Sequence, residues 1–249
     1  MASKFLALLI ALLIPAIGPA HAQERAVKPK GVIELYTSQG CSFCPSADRA
    51  LATLVDRPDI IALAFHVDYW NYRGWTDPLA SPANTARQYG YARTLGRSGV
   101  YTPQAVLNGR EQMKGKDAGA LDRQLDGLAR DGKGLSVDVD VRRTDDELVI
   151  DIGAGSGKAD VLVVYYRQRQ DTDILKGENK GTRVSNWNSV TDIQTVGMWE
   201  GKQMRVVLPS NILERRGDDG CAILVQTTSS DGEPSVIVGA TKLEQRDGS

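Results

Sequence analysis

Cysteine, histidine and phenylalanine are scarce in this chain, which contains three Cys, two His and three Phe among 249 residues. A small secreted domain that depends on disulfides has more cysteines, usually in an even number. Disulfide cross-links are therefore not expected to hold this fold together. Neither sign of charge predominates, since the net charge is −1. A nucleic-acid-binding protein needs a basic surface to neutralise phosphates, so we expect no nucleic-acid partner.

Long apolar runs are also absent, except at the N-terminus. Residues Phe5–Ile17 are almost continuously apolar and are followed by Ala20–Ala22, which has the small-x-small form of a cleavage site. The run is short for a membrane span and is interrupted by Pro15. We predict a signal peptide at 1–22, cleaved after Ala22, a secreted or periplasmic mature chain, and no membrane span in that mature chain.

The first half of the chain alternates between strand and helix patterns. Short runs rich in β-branched residues alternate with apolar residues at the spacing of an amphipathic helix, and an Asn-Gly pair is typical of a hairpin turn. The predicted elements are strand Gly31–Ser38, helix Ala47–Val55, strand Ile60–Val67, helix Ser81–Leu95, strand Val100–Leu107, a hairpin return after Asn108-Gly109, and a helix from Asp117.

After Leu135 the pattern changes to short strands in which apolar and polar residues alternate, separated by turn residues. Such a series is typical of an antiparallel sandwich. A glycine-rich stretch, Asp131–Gly134, separates the two patterns. We therefore predict an α/β domain at 28–132 and a β-rich, sandwich-like domain at 135–245.

Cys41 and Cys44 are separated by two residues and lie between a predicted strand and a predicted helix. Thiol–disulfide exchange needs one thiolate that attacks and a second thiol that resolves the mixed disulfide. Unpaired N–H groups at an exposed helix N-terminus stabilise a thiolate and lower its pKa. We expect Cys41 at that exposed position, as the nucleophile, and Cys44 as the resolving thiol.

Residues 31–130 resemble a thioredoxin-fold domain, on the strength of the element order, the Cys-x-x-Cys pair and Tyr101-Thr102-Pro103. The resemblance implies that Pro103 is a cis-proline beside the cysteine pair. It also implies that Thr102 offers backbone hydrogen bonds to a substrate chain. The chain departs from the thioredoxin pattern because it has Ser42 and Phe43 between the cysteines. These two residues lie where a substrate would bind, and they leave the direction of electron flow open.

The segment 34–48, ELYTSQGCSFCPSAD, is similar to that of a bacterial family of secreted proteins of unknown function. That family joins a thioredoxin-like domain to a β-rich C-terminal domain and shares a segment similar to Gly177–Gly181. The resemblance implies the fold class that we expect here: an α/β thioredoxin-like N-terminal domain followed by an all-β, sandwich-like C-terminal domain.

Two polar residues and one aromatic loop have alternative interpretations. His66 is either a proton carrier near the sulfurs or a hydrogen-bonded structural histidine, and Asp68 either exchanges protons with Cys44 or caps a loop. The aromatic loop that contains Trp70 either binds substrate or anchors an irregular segment. We include Trp70 among the candidate substrate-binding residues, with Thr102.

Two features of the second half also have alternative interpretations. Gly177–Gly181 is either a glycine-rich turn between strands or a segment that folds over the thiol site. Cys221 begins an apolar run and is expected to be a buried, inert thiol, with a regulatory disulfide to Cys41 or Cys44 as the alternative.

Three functions are compatible with these residues. We expect a thiol–disulfide oxidoreductase that acts on protein or small thiol substrates. It requires a redox partner to reset the pair but no organic cofactor. The second is copper or zinc binding through Cys41 and Cys44, with His66 and Cys221 completing a zinc set. The third is a binding module in which the disulfide is structural. We assign no metal ion to the predicted site.

Overall fold

The first half of the chain has the predicted order of strands and helices. The computed structural model describes residues 28–212 and 218–244, and the predicted signal peptide 1–22 lies outside them. The elements are β1 (Gly31–Thr37), α1 (Pro45–Ala52), β2 (Ile60–His66), α2 (Pro82–Thr94), β3 (Gln104–Leu107), β4 (Glu111–Met113) and α3 (Ala118–Arg130). Within the described ranges, no helix combines the length and the apolar character that crossing a membrane requires.

Side-chain caps explain where two of the helices begin. The Ser81 hydroxyl accepts a hydrogen bond from the Asn84 N–H at 3.1 Å, and the Asp117 carboxylate accepts one from the Ala120 N–H at 3.0 Å. Each bond satisfies an N–H group that has no partner within the helix. Proline stands in the first turn of both α1 and α2, where its missing N–H costs nothing.

The hairpin turn between β3 and β4 lies close to the C-terminal strand. Asn108 and Gly109 have φ values of 50° and 62°, as the Asn-Gly pair predicts. A Cβ at Gly109 would lie 2.0 Å from the carbonyl oxygen of Ser235, so this position requires glycine. The Asn108 side chain also accepts a hydrogen bond from the Val32 N–H at 2.8 Å, which ties the turn to β1.

The second half consists of strands, as predicted. They are β5 (Val139–Arg143), β6 (Glu147–Ile152), β7 (Ala159–Asp173), β8 (Arg183–Trp199), β9 (Met204–Pro209), β10 (Gly220–Thr228) and β11 (Pro234–Glu244). The predicted domain boundary at 132–135 falls between α3 and β5. The two longest strands, β7 and β8, form an antiparallel hairpin.

The predicted fold class, an α/β thioredoxin-like domain followed by an all-β sandwich-like domain, is wrong. Strands from both halves form one mixed, eight-stranded sheet in the order β11-β10-β7-β8-β2-β1-β3-β4. The junction is the parallel pair β2–β8, at Ala64 and Ser189. Here the Asn188 side chain donates to the carbonyl oxygen of Ala62 at 2.9 Å. A separate three-stranded sheet contains β5, β6 and β9.

The hydrophobic core shows why the two halves share a sheet. One buried cluster combines Tyr36 and Phe65 from β1 and β2 with Tyr91 from α2 and Leu224 from β10. A second cluster packs α1 and α3 against the other face of β1–β3. A third cluster joins the small sheet to β7 and β10. Because β2 has β8 as its neighbour, its edge is paired within the sheet and not exposed.

A buried ion pair also connects the two halves. Glu34 of β1 is fully buried and accepts a hydrogen bond from Arg87 of α2 at 2.8 Å. Arg87 donates in addition to Gln226 of β10 at 2.7 Å, and the Tyr91 hydroxyl donates to the second oxygen of Glu34. The charge of Glu34 is therefore compensated by partners from α2, as a buried charge requires.

Candidate functional site

The two neighbouring cysteines lie in a turn between β1 and α1, at residues 38–44, which we call the cysteine turn. The Cys41 N–H donates to the carbonyl oxygen of Ser38 at 3.1 Å, and the Cys44 N–H donates to that of Cys41, also at 3.1 Å. Cys44 is the residue before α1, and Pro45 follows it in the first turn of the helix. Both thiols are free. The local sequence thus brings two thiols together at the start of a helix, as predicted.

The Cys41 thiol is surrounded by hydrogen-bond donors. A hydrogen bond from the Cys44 thiol is the main cause that lowers the Cys41 pKa to about 7, against an opposing effect of burial. The Thr102 hydroxyl and the backbone N–H groups of Phe43 and Cys44 also donate to it. Hydrogen bonds to a charged group favour its ionised form. Cys41 therefore ionises more readily than an ordinary thiol, and the thiolate is the form that attacks a disulfide.

Thr102 and Trp70 form a hydrogen-bonded chain that ends at the sulfur. The Trp70 indole N–H donates to the Thr102 hydroxyl oxygen at 2.7 Å. The same hydroxyl donates to the Cys41 sulfur at 3.3 Å. Because an indole N–H can only donate, it leaves the Thr102 hydrogen free for the sulfur. The Thr102–Pro103 peptide bond is cis, the geometry that the resemblance implied.

The pKa of the second thiol, Cys44, is raised where that of Cys41 is lowered. Burial raises the Cys44 pKa well above its usual range, and the hydrogen bond to Cys41 raises it further. Asp48 of α1 contributes with its negative charge. Burial raises the Asp48 pKa to about 6, while the Thr37 hydroxyl, which donates to Asp48 at 2.7 Å, opposes that increase. Asp48 was missed by the sequence analysis, although it stands four residues after Cys44, at the spacing that puts two helical residues on one face.

His66 lies in the interior beneath the cysteine turn. Its Nδ1 is 2.7 Å from a carboxylate oxygen of Asp77, and both side chains are fully buried. Burial alone would lower the His66 pKa, but the charge and the hydrogen bond of Asp77, together with the charge of Asp48, outweigh it and raise the pKa. Asp68 accepts a hydrogen bond from the Thr85 hydroxyl at 2.6 Å. His66 is therefore a hydrogen-bonded histidine, and its partner is Asp77.

Gln39 fixes the beginning of the cysteine turn, and the sequence analysis missed it. Its N–H donates to Asp77 at 2.8 Å, and its side-chain amide donates to Asn186 of β8 at 2.8 Å. The side-chain oxygen accepts from the Trp75 indole at 3.0 Å. Gln39 is almost fully buried, so each of these bonds satisfies a group that water does not reach.

The segment that joins β7 to β8, residues 174–182, lies across the cysteine turn, and we call it the strap. The Asn179 side-chain amide donates to the carbonyl oxygens of Gln39 at 2.8 Å and Cys41 at 3.1 Å. The Glu178 carboxylate accepts from the Ser42 N–H at 3.3 Å. Gly177–Gly181 is thus both a turn between strands and a segment over the thiol site.

The expected exposure of Cys41 is wrong. Cys41 and Cys44 each have 0% relative exposure. The reason is that the helix N-terminus is covered by the strap and by the loop that contains Trp70, two segments whose positions depend on tertiary structure. The two intervening residues are exposed, and Phe43 is 62% accessible. The Lys116 ammonium lies 5.1 Å from the centre of the Phe43 ring.

Cys221 lies apart from this site. It is a buried residue of β10 in the cluster formed with the small sheet, and burial raises its pKa to about 12. Its position in a different cluster means that the hypothetical zinc set with His66 is not assembled. Among residues 28–212 and 218–244, no group of three or more His, Cys, Asp or Glu side chains is arranged to hold a metal ion.

Two adjacent free thiols beside a cis-proline define a protein with a dithiol site. The chain belongs to the family described as a protein of unknown function, DUF1223, which matches residues 32–226. No curated protein is significantly similar to it.

The solved structures similar to the chain include two in which the similarity covers 90% and 89% of it. A crystal structure of an Agrobacterium tumefaciens protein, determined by a structural genomics consortium, has 50% sequence identity and a TM-score of 0.82. The similarity covers 90% of this chain and 97% of that one. HBP35 of Porphyromonas gingivalis has 13% identity and a TM-score of 0.57, over 89% of this chain and 76% of that one. At this identity the second likeness concerns the fold alone.

Proposed function

We propose that the chain is a thiol–disulfide oxidoreductase that acts outside the cytoplasm on a thiol- or disulfide-bearing protein or small molecule. The observation that carries the proposal is the contrast between two hydrogen-bonded thiols. The Cys41 pKa is lowered to about 7, whereas the Cys44 pKa is raised. One thiol is thereby suited to attack and the other to remain protonated until a mixed disulfide has formed.

The reaction has two exchange steps. The Cys41 thiolate attacks one sulfur of a substrate disulfide, a Cys41–substrate disulfide forms, and the other substrate sulfur leaves as a thiolate that takes up a proton. Cys44 then loses its proton and attacks the Cys41 sulfur. A Cys41–Cys44 disulfide forms and the second substrate thiolate leaves. Two electrons pass from the Cys41–Cys44 pair to the substrate. A dithiol partner then reduces the Cys41–Cys44 disulfide and is itself oxidised. The reverse direction uses the same bonds.

Removing the proton from Cys44 requires a nearby base. Asp48 is the carboxylate whose charge acts on Cys44, and its pKa of about 6 makes it an effective acceptor near neutral pH. Once Cys41 is bonded to a substrate, its negative charge and its hydrogen bond to Cys44 are lost. Both effects had raised the Cys44 pKa. The resolving thiol is therefore easier to ionise in the mixed disulfide than in the free dithiol.

We also propose that this site is related to those of the thioredoxin-like superfamily. Support comes from the strand, the Cys-x-x-Cys turn, the following helix and the cis peptide at Thr102–Pro103. The N-terminal apolar run and its cleavage pattern support export. An exported location is compatible with reversible disulfide chemistry.

Two substitutions test the proposal. Cys41→Ser is expected to abolish the reduction of a model disulfide substrate, whereas Cys221→Ser, at a buried thiol elsewhere, is the matched control and should leave it unchanged. Cys44→Ala is expected to trap substrates as mixed disulfides on Cys41, which mass spectrometry of exported-protein extracts would identify. Undiminished turnover in the Cys41→Ser variant would refute the function.

The reduction potential of the Cys41–Cys44 pair decides between catalysis and a structural disulfide. A pair that is reversibly oxidised by glutathione mixtures supports exchange chemistry, and its potential distinguishes a reductant from an oxidant or an isomerase. A potential well below those of ordinary thiol pools would identify an inert cross-link and would favour the binding-module alternative.

A further inference from the structure

The burial of Cys41 conflicts with the access that the proposed function requires. A sulfur that exchanges disulfides must touch a second sulfur, yet Cys41 has no solvent-exposed surface in this structure. The turn in which it lies is held from above by the strap, and the neighbouring Ser42 and Phe43 are exposed. The substrate-facing side of the site is therefore close to the surface but closed.

The tip of the strap, residues 177–180, is hydrogen-bonded to the cysteine turn. Asn179 is buried, while its neighbours Gly177, Glu178 and Lys180 are exposed. The one Asn179 amide group bonds two backbone carbonyls on either side of Gly40, at 2.8 and 3.1 Å. A side chain of this kind acts as a removable anchor, because water replaces both of its hydrogen bonds when the tip lifts.

Glu178 makes further polar contacts of the tip. Its carboxylate accepts from the Ser42 N–H at 3.3 Å and from Arg73 at 3.2 Å. Arg73 is 46% exposed and Glu178 32%, so this ion pair is screened by solvent and contributes little. The closed position therefore depends on the hydrogen bonds of Asn179 and Glu178 and on the close approach of Gly177 to Trp75, where a Cβ at Gly177 would lie 3.0 Å from the Trp75 Cβ.

The base of the strap provides a fixed point for such a movement. Ile174 is buried, and its N–H and carbonyl groups bond Thr182 and Gly181 at 2.9 and 2.8 Å. Gly177 and Gly181 have φ values of 76° and 82°, a region in which glycine changes conformation at low cost. The tip can thus move while β7 and β8 stay paired.

We propose that the strap is a gate whose opening exposes Cys41 to its substrate. The inference rests on the proposed function for its biological meaning and extends it to the regulation of the same site. In the closed state the thiolate is protected from adventitious oxidation. In the open state, the backbone of the cysteine turn and the Ser42 N–H become available to a bound substrate chain.

Alkylation of the reduced, full-length protein tests the gate. Iodoacetamide is the probe, and labelling of each cysteine is followed by peptide mass spectrometry at a pH well above the Cys41 pKa, so that ionisation does not vary. Loss of the two Asn179 hydrogen bonds in Asn179→Ala should raise the open fraction, and with it the labelling rate of Cys41, by roughly 5- to 100-fold. Asn211→Ala, at an exposed asparagine outside the strap, should leave the rate unchanged.

Cys221 is an internal control for general unfolding. It is buried in a different cluster, so a variant that merely loosens the whole fold would increase labelling of Cys41 and Cys221 together. The gate predicts a rise at Cys41 alone, accompanied by faster amide hydrogen exchange at Ser42. Unchanged Cys41 labelling, or a rise that parallels that of Cys221, would overturn the proposal.

Glu178→Gln provides a second test that preserves the fold more easily. It weakens two surface contacts, and the expected increase in Cys41 labelling is roughly 1.5- to 5-fold. Glu200→Gln, which breaks the exposed ion pair with Lys158, is the matched control.

If the gate variants behave as expected but no disulfide substrate is turned over, the proposed function fails and the gate stands. If a disulfide substrate is turned over normally but the strap variants leave Cys41 labelling unchanged, the gate fails and the proposed function stands.

Discussion

Thr102→Val should raise the pKa of Cys41. Valine has nearly the shape of threonine but no hydroxyl group, so the substitution removes the 3.3 Å hydrogen bond to the sulfur with little change in packing volume. The hydroxyl donates to the thiolate and stabilises the charged form, so its loss favours the protonated thiol. The Trp70 indole simultaneously loses its acceptor, at a cost in stability of about 1–3 kcal/mol.

The size of the effect follows from the charge on the acceptor. A hydrogen bond to a charged group contributes about 1.5–3 kcal/mol, and one pKa unit corresponds to about 1.4 kcal/mol. We expect an increase of about one to two units from the present value of about 7. The thiolate fraction at neutral pH should then fall. A more basic thiolate is intrinsically more reactive, which partly offsets the loss of rate.

The direct measurement is the ultraviolet absorbance of the thiolate as a function of pH, with Cys44 kept in both proteins because its thiol also bonds Cys41. The pKa values of Cys44 and Cys221 are both raised, so the thiolate that appears near neutral pH is that of Cys41. Alkylation rate against pH gives the same midpoint, because the rate increases as Cys41 ionises. Thr102→Ser retains the hydroxyl and should restore most of the shift. An unchanged midpoint in Thr102→Val would show that the hydroxyl does not act on the sulfur and would refute the reasoning.

Three further substitutions have defined outcomes. Trp70→Phe removes the donor that orients Thr102 and should raise the Cys41 pKa by less than Thr102→Val does, as measured by the same titration. A larger increase would contradict the proposed order of hydrogen bonds from Trp70 through Thr102 to Cys41. Asp48→Asn should slow resolution of the mixed disulfide and abolish the increase in its rate with pH near 6; stopped-flow kinetics that retain this increase would exclude Asp48 as the base. Arg87→Met leaves Glu34 buried without its ion-pair partner and should lower the free energy of unfolding by about 3–5 kcal/mol, with urea denaturation as the measurement and a loss below about 1 kcal/mol as the contrary result.

Local elements of the fold were predictable because short-range chemistry decides them. The Ser81 and Asp117 caps begin their helices, and the Asn108-Gly109 pair forms the turn that its positive φ values require. Period-two alternation after residue 135 does correspond to strands. None of these features depends on which distant segment becomes the neighbour.

Strand pairing was not predictable from the same patterns. A strand that reads as buried on both faces, such as Ile60–His66, requires a neighbour on each edge, but its sequence does not say which strand supplies it. Here β1 pairs with one edge and β8, from the far half of the chain, pairs with the other. Local alternation therefore predicted the strands correctly and their grouping into two separate folds incorrectly.

In the candidate site, too, some residues were recognisable from the local sequence and others matter only through distant contacts. Cys41, Cys44 and Pro103 are recognisable from local spacing and order, and the structure brings them together. Gly177–Gly181 was recognisable as a segment that could cover the site, but the roles of Asn179 and Gln39 were not, since they come from bonds between residues more than one hundred positions apart. The burial of Cys41 could not be predicted either, because it depends on the position of the strap.

The β-rich half is therefore part of the thiol site and not an appendage to it. The side-chain amide of Gln39 has its acceptors on the β7–β8 hairpin, at Asn186 and Thr172, and the carbonyls of Gln39 and Cys41 have their donor on the strap. Without these partners, several buried polar groups of the cysteine turn would lose their hydrogen bonds, each at a cost of about 1–3 kcal/mol. The turn would have to rearrange toward water, and the two thiols would lose the geometry that separates their pKa values. A substrate that competes for the bonds of the strap would thus expose Cys41 and alter its environment in a single event.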